Sequence, residues 1–134
     1  MPLLSIVKKI ETVIASFKPI TVYTHHARDV NIDHQIVHES TIIATRPQPH
    51  CTVDNLFFFE VLSSTNYRPA NSQHPFAPNF FVDVTDYTAQ KFSALDVYSS
   101  EMRPFPHARS HKAVEALLVS RGTMVGVEAA EAFE

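Results

Sequence analysis

The sequence is poor in several residue types on which common functional sites depend. It contains two glycines, Gly122 and Gly126, which excludes the glycine-rich loop that cradles nucleotide phosphates. Its single cysteine, Cys51, excludes an internal disulfide and a cysteine-based zinc cluster. The 11 Lys and Arg residues are outnumbered by 14 Asp and Glu residues, whereas nucleic-acid binders usually carry a basic excess. We therefore expect no nucleic-acid partner.

Long hydrophobic runs are missing as well. No apolar run approaches the length of a membrane span, and the N-terminus lacks a signal-peptide pattern. Apolar residues make up 45% of the 134 residues and charged residues 19%, a balance typical of a globular chain. We therefore expect a cytoplasmic protein without a membrane partner, built as a single domain over residues 1–134.

The order of helical and extended patterns predicts an α/β fold. Apolar residues at helical spacing over 3–17 predict an amphipathic helix that Pro19 ends. The β-branched run 20–24 then predicts a buried strand. The alternation continues with a helix at about 34–45, a strand at 56–61, a long loop at 62–79, a strand at 80–84, a helix from Thr85 or Asp86 to about 98, and a helix at 112–121 capped by Ser110 and closed by Gly122. This order favours a partial Rossmann-like sheet, flanked by helices, whose first strands are missing.

The loop after the first strand is the candidate site, because ligands of open α/β sheets bind outside the carboxyl ends of the strands. Histidine is abundant in the chain, with eight residues, and three of them lie within residues 23–34. The same segment contains two carboxylates, one amide and one arginine. Imidazole is the commonest metal ligand and titrates near neutrality.

The spacing within this loop leaves three interpretations open. The first is a solvated loop in which Asp33 caps the following helix. The second is a calcium site at Asp29-x-Asn31-x-Asp33, although the sixth position holds a histidine rather than glycine and the twelfth a serine rather than glutamate. The third is a zinc site that includes His34, with His38 one helical turn further on. Spacing alone does not complete a three-ligand zinc shell.

An ordered set of short motifs resembles the PIG-L/LmbE family of zinc-dependent N-acetylglucosaminyl deacetylases. The likeness covers nearly the whole chain, and it is carried by Leu3-Leu-x-Ile-Val-Lys-Lys-Ile-Glu11, Lys18-Pro-x-x-Val-Tyr-Thr-His25, Asp29-x-Asn-x-Asp-His34, Ala44-Thr-Arg-Pro47, Phe59-Glu-Val-x-Ser-Ser-Thr65, Phe76-Ala-Pro-Asn79, Lys91, Tyr98, Pro106-His-x-Arg-Ser110, Arg121-Gly122 and Ala129-Ala-Glu-Ala-Phe133. The resemblance implies a hydrolase that releases acetate from an amino sugar or glycoconjugate.

The resemblance also implies roles for individual residues. His34 corresponds to a zinc ligand, and Asp33 to the carboxylate that precedes it. Asn31 occupies a position where many relatives carry a histidine that stabilises the oxyanion or acts as an acid; an amide donates a hydrogen bond there but transfers no proton. Three further candidates for substrate binding lie at the end of the first strand and in the loop after it: His25, His26 and Arg28. Two more lie in the Pro-marked loop, where His107 is a candidate second acid or substrate donor and Arg109 a candidate substrate-binding residue.

The chain departs from the family pattern in one respect. The family's His-Pro-Asp-Asp motif, which carries two zinc ligands and the general base, does not occur. We therefore expect a fragment of the domain with an incomplete zinc site and little or no deacetylase activity on its own. The alternatives are a non-catalytic remnant, a sugar-binding module, or half of a split enzyme that a separate N-terminal fragment complements. Apolar surface left uncovered by the missing strands would favour self-association.

Overall fold

A computed structural model describes residues 2–69 and 73–134, and these residues form two compact units. The first unit extends to Phe76 and includes Glu134; the second is Ala77–Phe133. Both units combine helices with paired strands, so the predicted α/β class is confirmed. The prediction of a single domain stays a prediction. Part of the predicted loop 62–79, residues 70–72, lies outside the described residues.

The first unit follows the predicted order of elements. Its helices and strands are α1 (Leu3–Phe17), β1 (Thr21–His25), α2 (Ile32–Ala44) and β2 (Asn55–Phe59), followed by a 3₁₀ turn at Thr65–Tyr67. β1 and β2 are parallel, with Thr21 opposite Asn55 and His25 opposite Phe59. α1 packs on α2, and α2 packs on β1. This packing places the start of α2 beside the carboxyl end of β1.

The apolar stripe of α1 is covered only in part in the described part of the chain. Lys18 adopts the left-handed conformation, with φ of 50°, and ends the helix at Phe17 as predicted. Only Val7 is buried in α1, whereas Leu4 is 62% exposed and Phe17 is 82% exposed. The stripe that predicts this helix from sequence is therefore covered only in part, with Ile6, Ile10 and Ile14 half-buried and Leu3, Val13 and Phe17 exposed.

The second unit contains β3 (Phe80–Asp83), a 3₁₀ turn at Thr85–Tyr87, α3 (Thr88–Val97), α4 (His111–Thr123) and β4 (Ala130–Phe133). β3 and β4 are antiparallel, and α4 packs on β4. Ser110 caps α4 as predicted, since its side chain accepts a hydrogen bond from the Ala113 N–H at 3.2 Å. Among the described helices of the chain, none combines the length and apolar character needed to cross a bilayer.

Several local features differ from the sequence analysis. α3 begins at Thr88 after a 3₁₀ turn and has no side-chain cap, so the predicted cap at Thr85 or Asp86 is wrong. β4 is a strand that the sequence pattern does not signal, because alanine has a low strand propensity. Gly122 lies inside α4 and not at its end: a Cβ there would come within 2.6 Å of the Val127 carbonyl oxygen, so glycine permits the chain to return closely over the helix. α2 begins two residues before the predicted position, because Asn31 and not Asp33 caps it; the Asn31 Oδ1 accepts from the Asp33 N–H at 2.9 Å.

Candidate functional site

Two histidine rings stack at the carboxyl end of β1. His25 is the last residue of β1, and His34 lies in the first turn of α2. Their ring centroids are 4.0 Å apart and the ring planes differ by 23°. Phe59, the register partner of His25 on β2, contacts the His25 ring with a centroid separation of 4.8 Å. The parallel pairing of β1 with β2 and the cap of α2 thus bring the two imidazoles together.

A buried carboxylate supports the His34 ring. The Asp29 side chain is fully buried, and its Oδ2 lies 2.7 Å from the His34 Nδ1. Its other oxygen, Oδ1, accepts a hydrogen bond from the Thr65 hydroxyl. Ser64 Oγ lies 3.5 Å from the His34 Nδ1 and also accepts from the Asn31 N–H at 3.3 Å. A cluster of polar contacts therefore joins the loop after β1 to the 3₁₀ turn after β2.

Sequence reasoning missed this role of Asp29 and considered the residue only as a calcium ligand. The calcium interpretation does not fit the geometry, because the Asp29 carboxylate is taken by His34 and Thr65 and the Asn31 oxygen by the helix cap. The local sequence holds no signal that separates Asp29 from Asp33. The partner that identifies it, Thr65, lies 36 residues further along the chain.

Burial shapes the acid–base behaviour of His25. Its Nδ1 is buried and has no hydrogen-bond partner among the described residues. Desolvation lowers the pKa of His25, and the neighbouring His34 and His38 lower it further, while Asp29 opposes them. The lowered pKa favours the neutral form of His25, whose Nδ1 is left without a hydrogen-bond partner by the described part of the chain.

The two remaining histidines near the site are held by other groups. His38 is buried and its Nδ1 lies 2.7 Å from the His25 carbonyl oxygen, so its ring is engaged with the backbone of β1. The His26 Nδ1 lies 2.7 Å from the Glu134 carboxylate, and the Phe76 ring meets the His26 ring edge-on at 5.4 Å. These two imidazoles support the end of β1, and the predicted pocket role of His26 stays a prediction.

The other predicted site residues are exposed or lie in the second unit. Asp33 and Arg28 are at least partly exposed, and Asn31 is exposed with its oxygen in the helix cap. His107 and Arg109 lie in the second unit, where the His107 Nδ1 accepts from the Arg109 N–H at 3.0 Å. The Arg109 guanidinium pairs with a carboxylate of its own unit, at 2.6 Å from the Glu101 Oε2. Of the predicted set, the structure thus brings His25 and His34 into direct contact.

The donor set allows a partial fit to zinc. A carboxylate bonded to one ring nitrogen is the arrangement typical of a metal-binding histidine, and here it leaves the His34 Nε2 for a ligand. Within the described residues, however, no three His, Cys, Asp or Glu side chains converge on a position that holds a metal ion. A catalytic zinc needs three protein ligands. His34 therefore fits as one ligand, and the other two are not supplied by the part of the chain described.

Comparisons with known proteins define the fold. Neither a protein-family model nor a curated protein sequence matches the chain. Solved structures do: the conserved protein TT1542 from Thermus thermophilus shares 22% identity at a TM-score of 0.73 over 96% of this chain and 57% of its own. An N,N'-diacetylchitobiose deacetylase from Pyrococcus horikoshii shares 15% at a TM-score of 0.69, over 97% of this chain and 50% of its own.

A third solved structure with a similar fold belongs to an enzyme with a different reaction. GalB, the 4-carboxy-2-hydroxymuconate hydratase of Pseudomonas putida KT2440, shares 19% identity at a TM-score of 0.61, over 97% of this chain and 57% of its own. The chain thus has a deacetylase-like α/β fold that also occurs in a hydratase. It spans 50–57% of the length of these three structures.

Proposed function

We propose that this chain forms part of a zinc-dependent N-deacetylase of the PIG-L/LmbE type, acting on an N-acetylglucosamine-type sugar or glycoconjugate. The observation that carries the proposal is the His34 ring, braced by a buried Asp29 carboxylate at the carboxyl end of β1. The fold likeness to the N,N'-diacetylchitobiose deacetylase supports the substrate class. The reaction adds water across the amide C–N bond and releases acetate and a free amine.

Within this proposal, each residue near the site has a distinct task. His34 offers its Nε2 as one zinc ligand. When bound, zinc supplies Lewis-acid activation of water for attack on an amide carbonyl. Asn31 has its side-chain oxygen committed to the helix cap, which leaves its amide N–H groups to donate to a substrate oxygen. Asp33 and Arg28 lie near them in sequence with part of their surface open to solvent, where they are available to a polar sugar.

The remaining predicted residues keep the roles that the resemblance implies for them. His25 and His26 end β1 and begin the loop, and we assign them to the pocket wall. His107 and Arg109 are assigned to substrate binding, with His107 as a second acid. Neither assignment is needed for the first test, which concerns His34 alone.

A second form of the same function is a two-chain enzyme. Two observations favour it: α1 leaves Leu4 and Phe17 largely exposed, and β1 pairs on one side only, with β2, in the part of the chain described. Parallel sheets are normally covered on both faces, and open edges accept a further strand. A polypeptide carrying His-Pro-Asp-Asp would supply both the cover and the absent ligands. Without it, the same uncovered surface would favour self-association.

The test begins with the DNA upstream of the Met1 codon. An in-frame His-Pro-Asp-Asp motif identifies a one-chain enzyme, and the motif in a separate adjacent frame identifies the two-chain form. The extended chain, or the pair, is then purified and assayed for acetate release from N-acetylglucosamine and N,N'-diacetylchitobiose. We expect turnover that chelation abolishes and that His34→Ala abolishes, whereas the exposed His50→Ala variant retains it.

Two results would overturn the proposal. One is a complete chain or pair that binds zinc and releases no acetate from either sugar. The other is absence of the motif from the upstream DNA together with sugar binding that is independent of zinc, which identifies a binding module. Robust, chelation-sensitive turnover by the 134-residue chain alone would instead show that its own residues complete the zinc site.

A further inference from the structure

The Asp29 side chain is held at both carboxylate oxygens. One oxygen contacts the His34 Nδ1 at 2.7 Å, and the other accepts from the Thr65 hydroxyl. That hydroxyl in turn accepts from the Val61 N–H at 2.7 Å, so its proton is directed at Asp29. The carboxylate is therefore held in one orientation, with its Oδ2 directed at His34.

The backbone of Asp29 is held as firmly as its side chain. Its carbonyl oxygen accepts from the Arg68 Nη2 at 2.8 Å and from the Gln35 Nε2 at 2.5 Å. The Arg68 Nε donates to the neighbouring Arg28 carbonyl at 2.7 Å. Residues from α2 and from the end of the 3₁₀ turn thus fix the loop that carries the carboxylate. A residue fixed at side chain and backbone imposes its geometry on whatever it binds.

His34 is the group on which that geometry acts. A carboxylate only accepts hydrogen bonds, so the neutral His34 ring must carry its proton on Nδ1 and present a lone pair at Nε2. The His25 ring covers one face of the imidazole at 4.0 Å and restricts its rotation. The His34 side chain is 20% exposed while the Asp29 side chain is 0% exposed, so the imidazole contacts a buried carboxylate and is itself partly open to solvent.

We propose that Asp29 is a positioning residue that fixes the tautomer and ring orientation of His34, and that Thr65 holds Asp29 in place. The proposal deepens the proposed function, since it rests on His34 acting through Nε2. A buried carboxylate–histidine pair is a poor device for stability, because the cost of desolvating the charge offsets much of its attraction. Its value here is orientation. The carboxylate that orients His34 is therefore the buried Asp29 and not the exposed Asp33 that precedes His34 in sequence.

The first measurement uses the unaltered chain. Histidine side chains labelled with ¹⁵N are observed by long-range ¹H–¹⁵N correlation at alkaline pH, where imidazoles are neutral. We expect His34 in the Nδ1–H form with a downfield, slowly exchanging proton. The Nε2–H form would overturn the proposal, and this result does not depend on whether any variant folds.

The second measurement uses Asp29→Asn. The Asn oxygen keeps the Thr65 hydroxyl as its donor, so the amide nitrogen faces His34 and donates to Nδ1. We expect the Nδ1–H form to change from the major to the minor tautomer. Asp33→Asn is the matched control, because it removes the nearby exposed carboxylate and should leave the His34 tautomer unchanged. A folded Asp29→Asn chain with the wild-type tautomer, or a change caused equally by Asp33→Asn, would refute the assignment.

Zinc titration separates this proposal from the proposed function. Loss of a carboxylate that orients a metal-binding histidine weakens metal affinity by about 10–100-fold. We expect a weakening of that size in Asp29→Asn when zinc is added to the complete enzyme, as the one-chain or two-chain form defined above, and the His34 resonances are followed. If the tautomer changes as expected but zinc leaves His34 unperturbed in the complete enzyme with and without the substitution, Asp29 remains the positioning residue and the zinc-ligand role of His34 fails.

Discussion

The first unit buries mainly polar side chains, whereas the second buries mainly apolar ones. In the first unit the buried residues are Val7, Thr24, His26, Asp29, His38, Ser40, Thr41, Thr45, Ser64 and Thr65. In the second they are Val114, Leu118, Gly122, Ala129, Ala130, Ala132, Phe133 and a single polar residue, Ser110, among the described residues. The two units both combine helices with strands, yet they bury opposite kinds of surface.

The difference separates stability from positioning. Apolar burial contributes about 25 cal/mol per Å², whereas an internal hydrogen bond contributes only about 0.5–1.5 kcal/mol net. The first unit's polar interior therefore adds little stability for the volume it occupies. Its hydrogen bonds are directional, and those of Asp29 and Thr65 converge on His34. We conclude that the first unit has a directional polar interior beside His34 and that the second has an apolar core.

The largest expected effect is in the apolar unit. Leu118 on α4 is 4% exposed, and Leu118→Ala removes buried methyl groups and leaves a cavity. We expect the free energy of unfolding to fall by about 2–5 kcal/mol, measured by urea denaturation. Val119→Ala is the matched control on the same helix, because Val119 is 47% exposed and its loss should change stability by less than about 0.5 kcal/mol. Equal effects of the two substitutions would contradict the apolar-core description.

In the polar unit we expect a substitution that raises the free energy of unfolding, the opposite of Leu118→Ala. Ser40 on α2 is fully buried, and its hydroxyl has no hydrogen-bond partner among the described residues. Removing an unpaired buried hydroxyl relieves a desolvation cost, so Ser40→Ala should raise the free energy of unfolding by about 1 kcal/mol.

The control for that substitution is Ser16→Ala, an exposed serine in α1. It gains the same helix propensity, about 0.5 kcal/mol or less, without relief of burial. The difference between the two variants measures the cost of the buried hydroxyl. A Ser40→Ala chain less stable than wild type would mean that the buried hydroxyl has a hydrogen-bond partner.

The same contrast explains how far the sequence predicts the molecule. α1 is predicted with its observed bounds, because its apolar residues repeat at helical spacing, and the Ser110 cap follows from a local rule. The buried carboxylate of Asp29 is not predictable in this way. Its contacts with Thr65 and Arg68 depend on tertiary structure, because both residues follow β2 in sequence and meet the loop after β1 where the two strands pair. Periodicity reports which face of an element is apolar, and it carries no information about distant polar partners.

The smallest expected effect concerns an exposed carboxylate. It tests whether hydrogen bonds outside the polar interior also contribute measurable free energy. Asp83, at the end of β3, accepts from the Thr85 hydroxyl at 2.6 Å and from the Thr85 N–H at 2.9 Å. The side-chain bond, and after it the backbone bond, lowers the pKa of Asp83. Because the pKa is lowered on folding, the stabilisation is fully present above the ordinary carboxyl pKa and is lost as the pH falls through the folded value.

Thr85→Ala removes the stronger of these two bonds and keeps the backbone donor. We expect the pKa of Asp83 to rise in the variant while staying below its ordinary value, as measured by NMR titration of the side-chain carboxyl carbon. Thr123→Ala, an exposed threonine whose hydroxyl donates to the Ser120 carbonyl, should leave that pKa unmoved. If Thr85→Ala also leaves the pKa of Asp83 unmoved, the hydrogen bond at this exposed site has no measurable energetic effect. The contrast with the buried hydrogen bonds around His34 would then be sharper.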